Sequence, residues 1–202
     1  MTSGRYIALE GAEGCGKSTQ AARLAAALGA VLTRETGGTP IGARIRELLH
    51  DTSVTDLAPR AEALLTAADR AQHIEQVVRP ALAAGRHVVS DRSVYSTLAY
   101  QGYGRGLPVA EIRPINEWAV AGCWPELVIL VDVHADALHQ RMHGRELDRF
   151  EREGDDFHSR VRDGFRALAE AEPHRWAVID GADEIDVVEA AIRTAVRDRL
   201  GV

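Results

Sequence analysis

The chain has 202 residues, of which 46% are hydrophobic and 27% are charged, and its formal net charge at pH 7 is −6. This composition is typical of a globular domain with a core large enough to fold on its own. It contains no apolar run that could cross a membrane, and the acidic balance argues against a broad nucleic-acid-binding surface. Because the start of the chain lacks a secretory-signal pattern and the two cysteines are isolated, we expect a cytoplasmic protein without a disulfide.

Short apolar runs alternate with longer helical patterns along the chain. In chain order these patterns predict a strand at 6–9, a helix at 17–28, a strand at 30–33, helices at 41–50 and 57–84, a strand at 87–90, helices at 93–101 and 109–121, a strand at 127–131, helices at 136–143 and 155–171, a strand at 176–179 and a helix at 184–200. Pro80 should bend or interrupt the helix predicted at 57–84. The alternation indicates an α/β fold, a five-stranded parallel sheet with helices on both faces, in a single domain over residues 1–202.

The loop after the first strand has the pattern of a phosphate-binding loop. Residues 11–18 match G-x-x-x-x-G-K-S/T, and the fixed positions are Gly11, Gly16, Lys17 and Ser18. The glycines let backbone N–H groups face phosphate oxygens at the start of a helix, where Lys17 can reach the β and γ phosphates and Ser18 can coordinate Mg²⁺. We therefore predict the three-layer P-loop NTPase fold. The nucleotide-binding residues would be Gly11, Ala12, Glu13, Gly14, Cys15, Gly16, Lys17, Ser18 and Thr19.

Three further segments follow the second, third and fourth strands, where ligands bind in parallel sheets. They are residues 34–40 (RETGGTP), 91–102 (DRSVYSTLAYQG) and 145–151 (RELDRFE). Together with the phosphate loop, in this order and at these spacings, they resemble the thymidylate kinase family from about Arg5 to the last strand. The resemblance implies that ATP, with Mg²⁺, donates its γ-phosphoryl group to a nucleoside monophosphate, thymidylate in this family. It also implies a homodimer.

The resemblance implies roles for the acceptor side of the site. Arg92 and Arg70 would hold the acceptor monophosphate and base, and Arg46 would help to clamp the phosphate. Asp91 would help to organise Mg²⁺, although a carboxylate at that position could also be a helix cap. Glu13 would lie near the sugar. The nucleoside side of the pocket would be lined by Tyr100, Gln101 and Tyr103.

A mobile lid is expected at about residues 142–155. In kinases of this kind, lid arginines cover the transferring phosphate and exclude water. Since position 15 is Cys15, the phosphate loop supplies no arginine, and the lid resembles that of the bacterial subgroup. Arg145 and Arg149 are the candidates for this role, with Arg141 in reserve. A solvated loop with internal salt bridges is the alternative.

Two positions depart from the family pattern. Thr66 stands where the family has a phenylalanine that stacks on thymine, and Thr36 stands where a proline is usual. Base–aromatic stacking is worth about 1–3 kcal/mol, so Thr66 should weaken thymidylate binding or widen the base preference. A kinase for a different pyrimidine (deoxy)nucleoside monophosphate, or a catalytically impaired nucleotide-binding regulator, therefore stays open as an alternative.

Cys15 carries one more prediction. It lies beside Lys17 near a helix N-terminus, surroundings that favour a thiolate. We expect it to react faster than Cys123, and the alternative is an inert thiol that fills space.

Overall fold

The computed structural model describes residues 4–144 and 146–202. The strands are β1 (Tyr6–Glu10), β2 (Val31–Arg34), β3 (Val88–Asp91), β4 (Leu127–Asp132) and β5 (Trp176–Asp180). The α-helices are α1 (Lys17–Leu28), α2 (Pro40–His50), α3 (Pro59–His73), α4 (Arg79–Ala83), α5 (Val94–Thr97), α6 (Val109–Val120), α7 (Ala135–Met142), α8 (Asp155–Ala171) and α9 (Ile185–Leu200). Of these helices, none is long and apolar enough to span a membrane.

The five strands form one parallel sheet in the order β2-β3-β1-β4-β5. The central strand β1 pairs with β3 on one side and with β4 on the other. The connection that leaves β1 runs to one side of the sheet, whereas the connections that leave β3 and β4 run to the other side. Ligands bind at such a change of direction in open parallel sheets. The segments that follow β1 and β3 leave the same edge side by side, because Leu9 is in register with Asp91.

The central strands β1, β3 and β4 are buried on both faces, whereas the edge strands β2 and β5 have exposed side chains on one face. For β4 this confirms what its continuous apolar run predicted. In β4, Val128 and Leu130 pack into the core on the side of α5, α6 and α8. The alternate residues of the same strand, Leu127 and Ile129, pack into the core on the side of α1 and α9. This alternation produces helix, sheet and helix layers, and the predicted fold class is confirmed.

The long helical pattern at 57–84 is interrupted earlier than Pro80. The chain runs as α3, then as a π-helical turn at Ile74–Val78, then as α4. The N–H of Arg79 donates to the carbonyl of Ile74, five residues back. Proline lacks an N–H, and its ring crowds the carbonyl group four residues before it. The wider π-helical turn ahead of Pro80 accommodates the ring, so that the chain stays helical from α3 through α4.

A second π-helical segment shapes the site. After α5 the chain continues as a π-helix over Leu98–Gly104, longer and wider than the helix predicted at 93–101. Its glycines allow close packing, since a Cβ on Gly104 would lie 2.6 Å from the ring of Phe157 on α8. The segment carries Tyr100 and Gln101, so its geometry determines where these two side chains point.

Candidate active site

The phosphate loop lies between β1 and α1, as the pattern predicted. Gly11 has φ +146°, and a Cβ there would lie 2.6 Å from the carbonyl oxygen of Val131. Gly16, with φ +92°, precedes α1, whose first residue is Lys17. No side chain within the described part of the chain caps this helix, so its first N–H groups are left for another acceptor. The loop therefore has the backbone of an anion site.

Lys17 is buried at the centre of this loop. Its ammonium group lies 3.3 Å from the carbonyl oxygen of Ala12 and 3.4 Å from Oε2 of Glu13. Lys17 and Ser18 both line a cavity of about 430 Å³ that opens at the carboxyl edge of the sheet. The same cavity is lined by most of the predicted acceptor residues, namely Glu13, Arg46, Thr66, Arg70, Asp91, Arg92, Tyr100 and Gln101.

Cys15 does not have the predicted surroundings. Its side chain is only 2% exposed and packs into the core next to α1. Burial raises the pKa of the thiol, and the nearby charge of Lys17 does not compensate. The prediction of a reactive thiolate is therefore wrong, because close packing against the loop outweighs the local positive charge.

Arg92 is held rigidly at the end of β3. Its backbone has φ +73°, a conformation that a residue with a side chain rarely adopts. One terminal nitrogen donates to the carbonyl oxygen of Gly11 at 3.2 Å and to Oγ of Ser96 at 3.0 Å. The other donates to the carboxylate of Glu13 and, at 3.0 Å, to the hydroxyl of Tyr100. The guanidinium group is thus fixed beside the phosphate loop before any substrate binds.

Glu13 joins the two cationic groups of this region. It contacts Lys17 and Arg92 and accepts a hydrogen bond from the hydroxyl of Tyr100 at 3.2 Å. Burial alone would raise the pKa of Glu13, but the charges of Arg92 and Lys17 outweigh it and hold this pKa well below its usual range.

Asp91 offers an unused acceptor in the same place. Its Oδ1 atom is buried and has no hydrogen-bond partner among the residues that the structure describes. A buried carboxylate oxygen without a partner is costly, and a cation or a ligand donor would remove that cost. The observation favours the predicted metal role of Asp91 over a helix cap, because Ser93 is the residue that caps α5.

Arg46 adds positive charge on the side of α2. Its guanidinium group donates to the carbonyl oxygen of Thr36 at 3.3 Å. Burial, and then repulsion from Arg34 and Arg92, lowers the pKa of Arg46. Cations that repel one another in a cavity form a site for a multiply charged anion.

Arg70 is fixed in the floor of the cavity. It is 1% exposed, and its Nε donates to Glu35 at 2.8 Å while Nη1 donates to Asn116. Its Nη2 donates to the carbonyl oxygen of Ser93 and to Oγ1 of Thr97. This group is therefore oriented entirely by the protein and presents only donors to a ligand.

Thr66 is next to Arg70 in the cavity wall. Its hydroxyl donates to the carbonyl oxygen of Ala63 at 2.8 Å and accepts from Thr97 at 3.1 Å. No aromatic ring occupies this position, as the sequence indicated.

Several predicted site residues do not line the cavity. Tyr103 packs instead against Gly164 of α8, where a Cβ would lie 2.6 Å from its ring. The guanidinium group of Arg149 is occupied outside the cavity, donating to Glu62 at 2.6 Å and to the carbonyl oxygen of Leu49 at 2.7 Å. In this conformation buried Glu62 holds the guanidinium group of Arg149, and the contact of Arg149 with the transferring phosphate stays a prediction.

The other two arginines considered for the lid role differ from Arg149. Arg141, the reserve candidate, lies at the phosphate loop, where it donates to the carbonyl oxygen of Cys15 at 3.4 Å and to that of Gly181 at 3.0 Å. Arg145 lies outside the described residues.

The structure adds cavity residues that the sequence reasoning missed. Ser96 and Thr97 line the cavity together with Tyr100 and Gln101. The signal was available, because residues three and four positions apart share a helix face, and Ser96 and Thr97 precede Tyr100 and Gln101 by four.

Glu10 was also missed. It is a buried carboxylate at the end of β1 that accepts from the N–H and hydroxyl of Ser93 and from the hydroxyl of Ser96. Burial raises the pKa of Glu10, and the nearby charge of Arg92 opposes this effect. Since Ser96 also accepts from Arg92, Glu10 helps to fix Arg92.

The fold and the site together define a P-loop nucleotide-binding phosphotransferase with an acceptor pocket beside its phosphate loop. Comparison with known proteins narrows this class. The family model described as thymidylate kinase matches residues 9–192, and the chain belongs to this family.

Two curated relatives carry the name thymidylate kinase and match nearly the whole chain. The protein from Bifidobacterium longum (strain NCC 2705) is 47% identical over 204 residues, covering 97% of this chain and 98% of the relative. The protein from Clavibacter michiganensis is 48% identical over 200 residues, covering 95% and 94%. The crystal structure of thymidylate kinase from Ehrlichia chaffeensis superimposes with a TM-score of 0.81 at 31% identity, covering 96% of this chain and 99% of that one.

Proposed function

We propose that this chain transfers the γ-phosphoryl group of ATP to thymidine 5′-monophosphate, giving ADP and thymidine 5′-diphosphate. The observation that carries the proposal is a single cavity that contains both Lys17 of the phosphate loop and the arginines of an acceptor site. Membership of the thymidylate kinase family supports the same reaction.

The donor end of the site would be formed by the phosphate loop. Its backbone N–H groups and the N-terminus of α1 would hold the phosphates, and Lys17 would neutralise charge that spreads over the transferring group. Arg141 would act from the other side, because its present hydrogen bond to Cys15 already holds it at this loop.

A magnesium ion would be held by Ser18 and Asp91. The unpaired buried Oδ1 of Asp91 fits this role. The described residues contain no group of three or more His, Cys, Asp or Glu ligands, so phosphate oxygens and water would complete the coordination, as Mg²⁺ prefers. When bound, the ion would supply charge neutralisation between the phosphates.

The acceptor end would be formed by the arginines. Arg92 and Arg46 would hold the acceptor phosphate, since both are half-buried cations that line the cavity. Arg70 and Gln101 would bind the base, and Thr66 would face it without stacking. Catalysis would then rest on positioning and electrostatics, with the attacking phosphate oxygen aligned towards the γ phosphate.

The lid at about residues 142–155 would close over both phosphates and exclude water. Arg149 would anchor the base of the lid through its hydrogen bonds to Glu62 and Leu49.

A homodimer is the second part of the proposal. Helices α3 and α6 are joined by the hydrogen bond from Arg70 to Asn116. These two helices expose three large apolar side chains, with exposed fractions of 54% for Leu64, 36% for Ile115 and 82% for Trp118. Exposed apolar side chains on two helices that pack together are expected at a protein–protein interface. Light scattering after gel filtration should give twice the chain mass, and Trp118→Asp should give a monomer.

We also place the reaction in the cytoplasm, because both cysteines are free thiols in the structure.

The proposed function is tested by ADP release from ATP and Mg²⁺ in the presence of each common nucleoside monophosphate in turn. Thymidylate should give the highest kcat/KM. A preference for another monophosphate would overturn the assignment of thymidylate, and no ADP release with any of them would overturn the kinase assignment.

A further inference from the structure

Glu62 on α3 is a buried carboxylate that belongs neither to the phosphate loop nor to the acceptor arginines. Its side chain is 0% exposed. It accepts hydrogen bonds from Nε2 of Gln101 at 2.8 Å, from Nε and Nη2 of Arg105 at 3.2 and 3.1 Å, and from Nη2 of Arg149 at 2.6 Å. Burying a carboxylate is costly unless it is paired, and the two arginines offset that cost here. The bond to Gln101 joins this buried carboxylate to a residue that lines the cavity.

The bond to Glu62 determines which way the amide of Gln101 points. A carboxylate oxygen that already accepts from arginine can only accept, so the amide nitrogen of Gln101 has to face it. The amide oxygen is then left for the cavity, which Gln101 lines. Within the described ranges this oxygen accepts no hydrogen bond, and it is not one of the polar side-chain atoms buried without a partner. It is therefore an acceptor open to a ligand.

A fixed acceptor in a base pocket discriminates between pyrimidines. Thymine and uracil have an N–H donor at N3 beside the O4 acceptor, whereas cytosine has an unprotonated acceptor at N3 beside a donor amino group. Arg70 in the same cavity offers only donors. Four of its N–H groups are donated to the protein, to Glu35, Asn116, Ser93 and Thr97. An acceptor at Gln101 and a remaining donor at Arg70 complement the N3–H and O4 edge and repel the cytosine edge.

We propose that Glu62 is a positioning residue for base selection. It holds the Gln101 amide with its oxygen in the cavity, so that the acceptor site takes a pyrimidine monophosphate with an N3–H group and rejects cytidylate. Arg105 and Arg149 donate to the same carboxylate and offset the cost of burying its charge, whereas the bond to Gln101 is the one that orients the amide. This inference rests on the proposed function and adds the residue that orients the base contact of the same site.

The test compares kcat/KM for dTMP and for dCMP in the wild type and in Glu62→Gln. A glutamine at this position can accept or donate, so it permits both orientations of the Gln101 amide. The ratio of dTMP to dCMP should fall about tenfold or more, the size expected when one oriented hydrogen bond no longer discriminates. Arg105→Ala is the matched control, because it removes a cation from the same carboxylate and leaves the bond to Gln101. It should lower Tm while leaving the ratio within about twofold of wild type.

The outcomes separate this proposal from the proposed function. An unchanged ratio in folded Glu62→Gln would overturn it, because Glu62 would then only support the fold. If that variant does not fold, Glu62→Asp decides: it keeps the charge beside the arginines but ends one methylene short of Gln101, and an unchanged ratio there is equally fatal. A wild type that phosphorylates dCMP as well as dTMP also contradicts the proposal. A wild type that phosphorylates neither contradicts the proposed function instead.

Discussion

Replacing Thr66 with phenylalanine should improve thymidylate binding. Thr66 lines the cavity beside Arg70 and Gln101, and the cavity of about 430 Å³ leaves room for a ring. A base stacked on that ring would gain about 1–3 kcal/mol. Since each ~1.4 kcal/mol corresponds to a factor of ten, KM for dTMP should fall about tenfold. Turnover should change less, because stacking on the base is the same in the ground and transition states.

The same substitution has a cost that the structure identifies. Thr66 accepts from Thr97 at 3.1 Å and donates to Ala63 at 2.8 Å, and both hydrogen bonds are lost. A buried hydroxyl left without its partner costs about 1–3 kcal/mol of unfolding free energy. Thr66→Val is the matched control, because it loses the hydroxyl and adds no ring.

The assay is coupled ADP release at saturating ATP, with dTMP varied, together with urea unfolding of each variant. Both variants should lose stability, but only the phenylalanine variant should show a lower KM. A KM for dTMP that rises in folded Thr66→Phe would refute the reasoning, because position 66 would then not lie against the face of the base.

Three further predictions follow from burial and charge. Cys15 should be alkylated more slowly than Cys123 in the native protein, because burial raises the pKa of Cys15 and Cys123 is less buried. Mass spectrometry of the labelled chain measures both rates, and faster labelling of Cys15 would contradict the burial of its thiol. The pKa of Glu13 is depressed in the folded state, so the stability that its ionised carboxylate contributes is present above its unfolded pKa of about 4.3 and is lost as pH falls below that value. Between pH 6 and pH 3 the free energy of unfolding, measured in urea, should fall less in Glu13→Gln than in wild type, and equal falls would refute this. Arg149→Ala should lower the free energy of unfolding by about 1–3 kcal/mol, since it removes a charged hydrogen bond from buried Glu62, and a loss of turnover without any loss of stability would restore the direct catalytic role instead.

The sequence predicted the regular part of the fold well, because the signals there are local. Helix α1 begins and ends where predicted, since Gly16 and Gly29 flank an unbroken helical pattern and both adopt positive φ. The π-helical segment at Leu98–Gly104 was not predicted. An apolar pattern over seven residues cannot distinguish the two helical periods, and the wider turn depends on packing against α8, which is distant in sequence.

The candidate site was predictable where a motif fixes the geometry. The phosphate-loop motif predicts the position of Lys17, and the end of β3 predicts that of Asp91 and Arg92. The structure brings all three into one cavity. The position of Arg149 was not predictable, because its partner Glu62 is 87 residues away in the chain. The burial of Cys15 was missed for a related reason, since the charges considered were local and the packing that surrounds the thiol is not.

Transfer of the γ-phosphoryl group to dTMP is observed most directly by following the phosphorus atom itself. The protein is incubated with dTMP, Mg²⁺ and ATP labelled at the γ phosphate, and the products are separated. The label should appear in dTDP, and Lys17→Ala, with an unchanged far-UV circular dichroism spectrum, should transfer it less than about a tenth as fast. Label that appears only in inorganic phosphate, or equal transfer by folded Lys17→Ala, would contradict the proposed function.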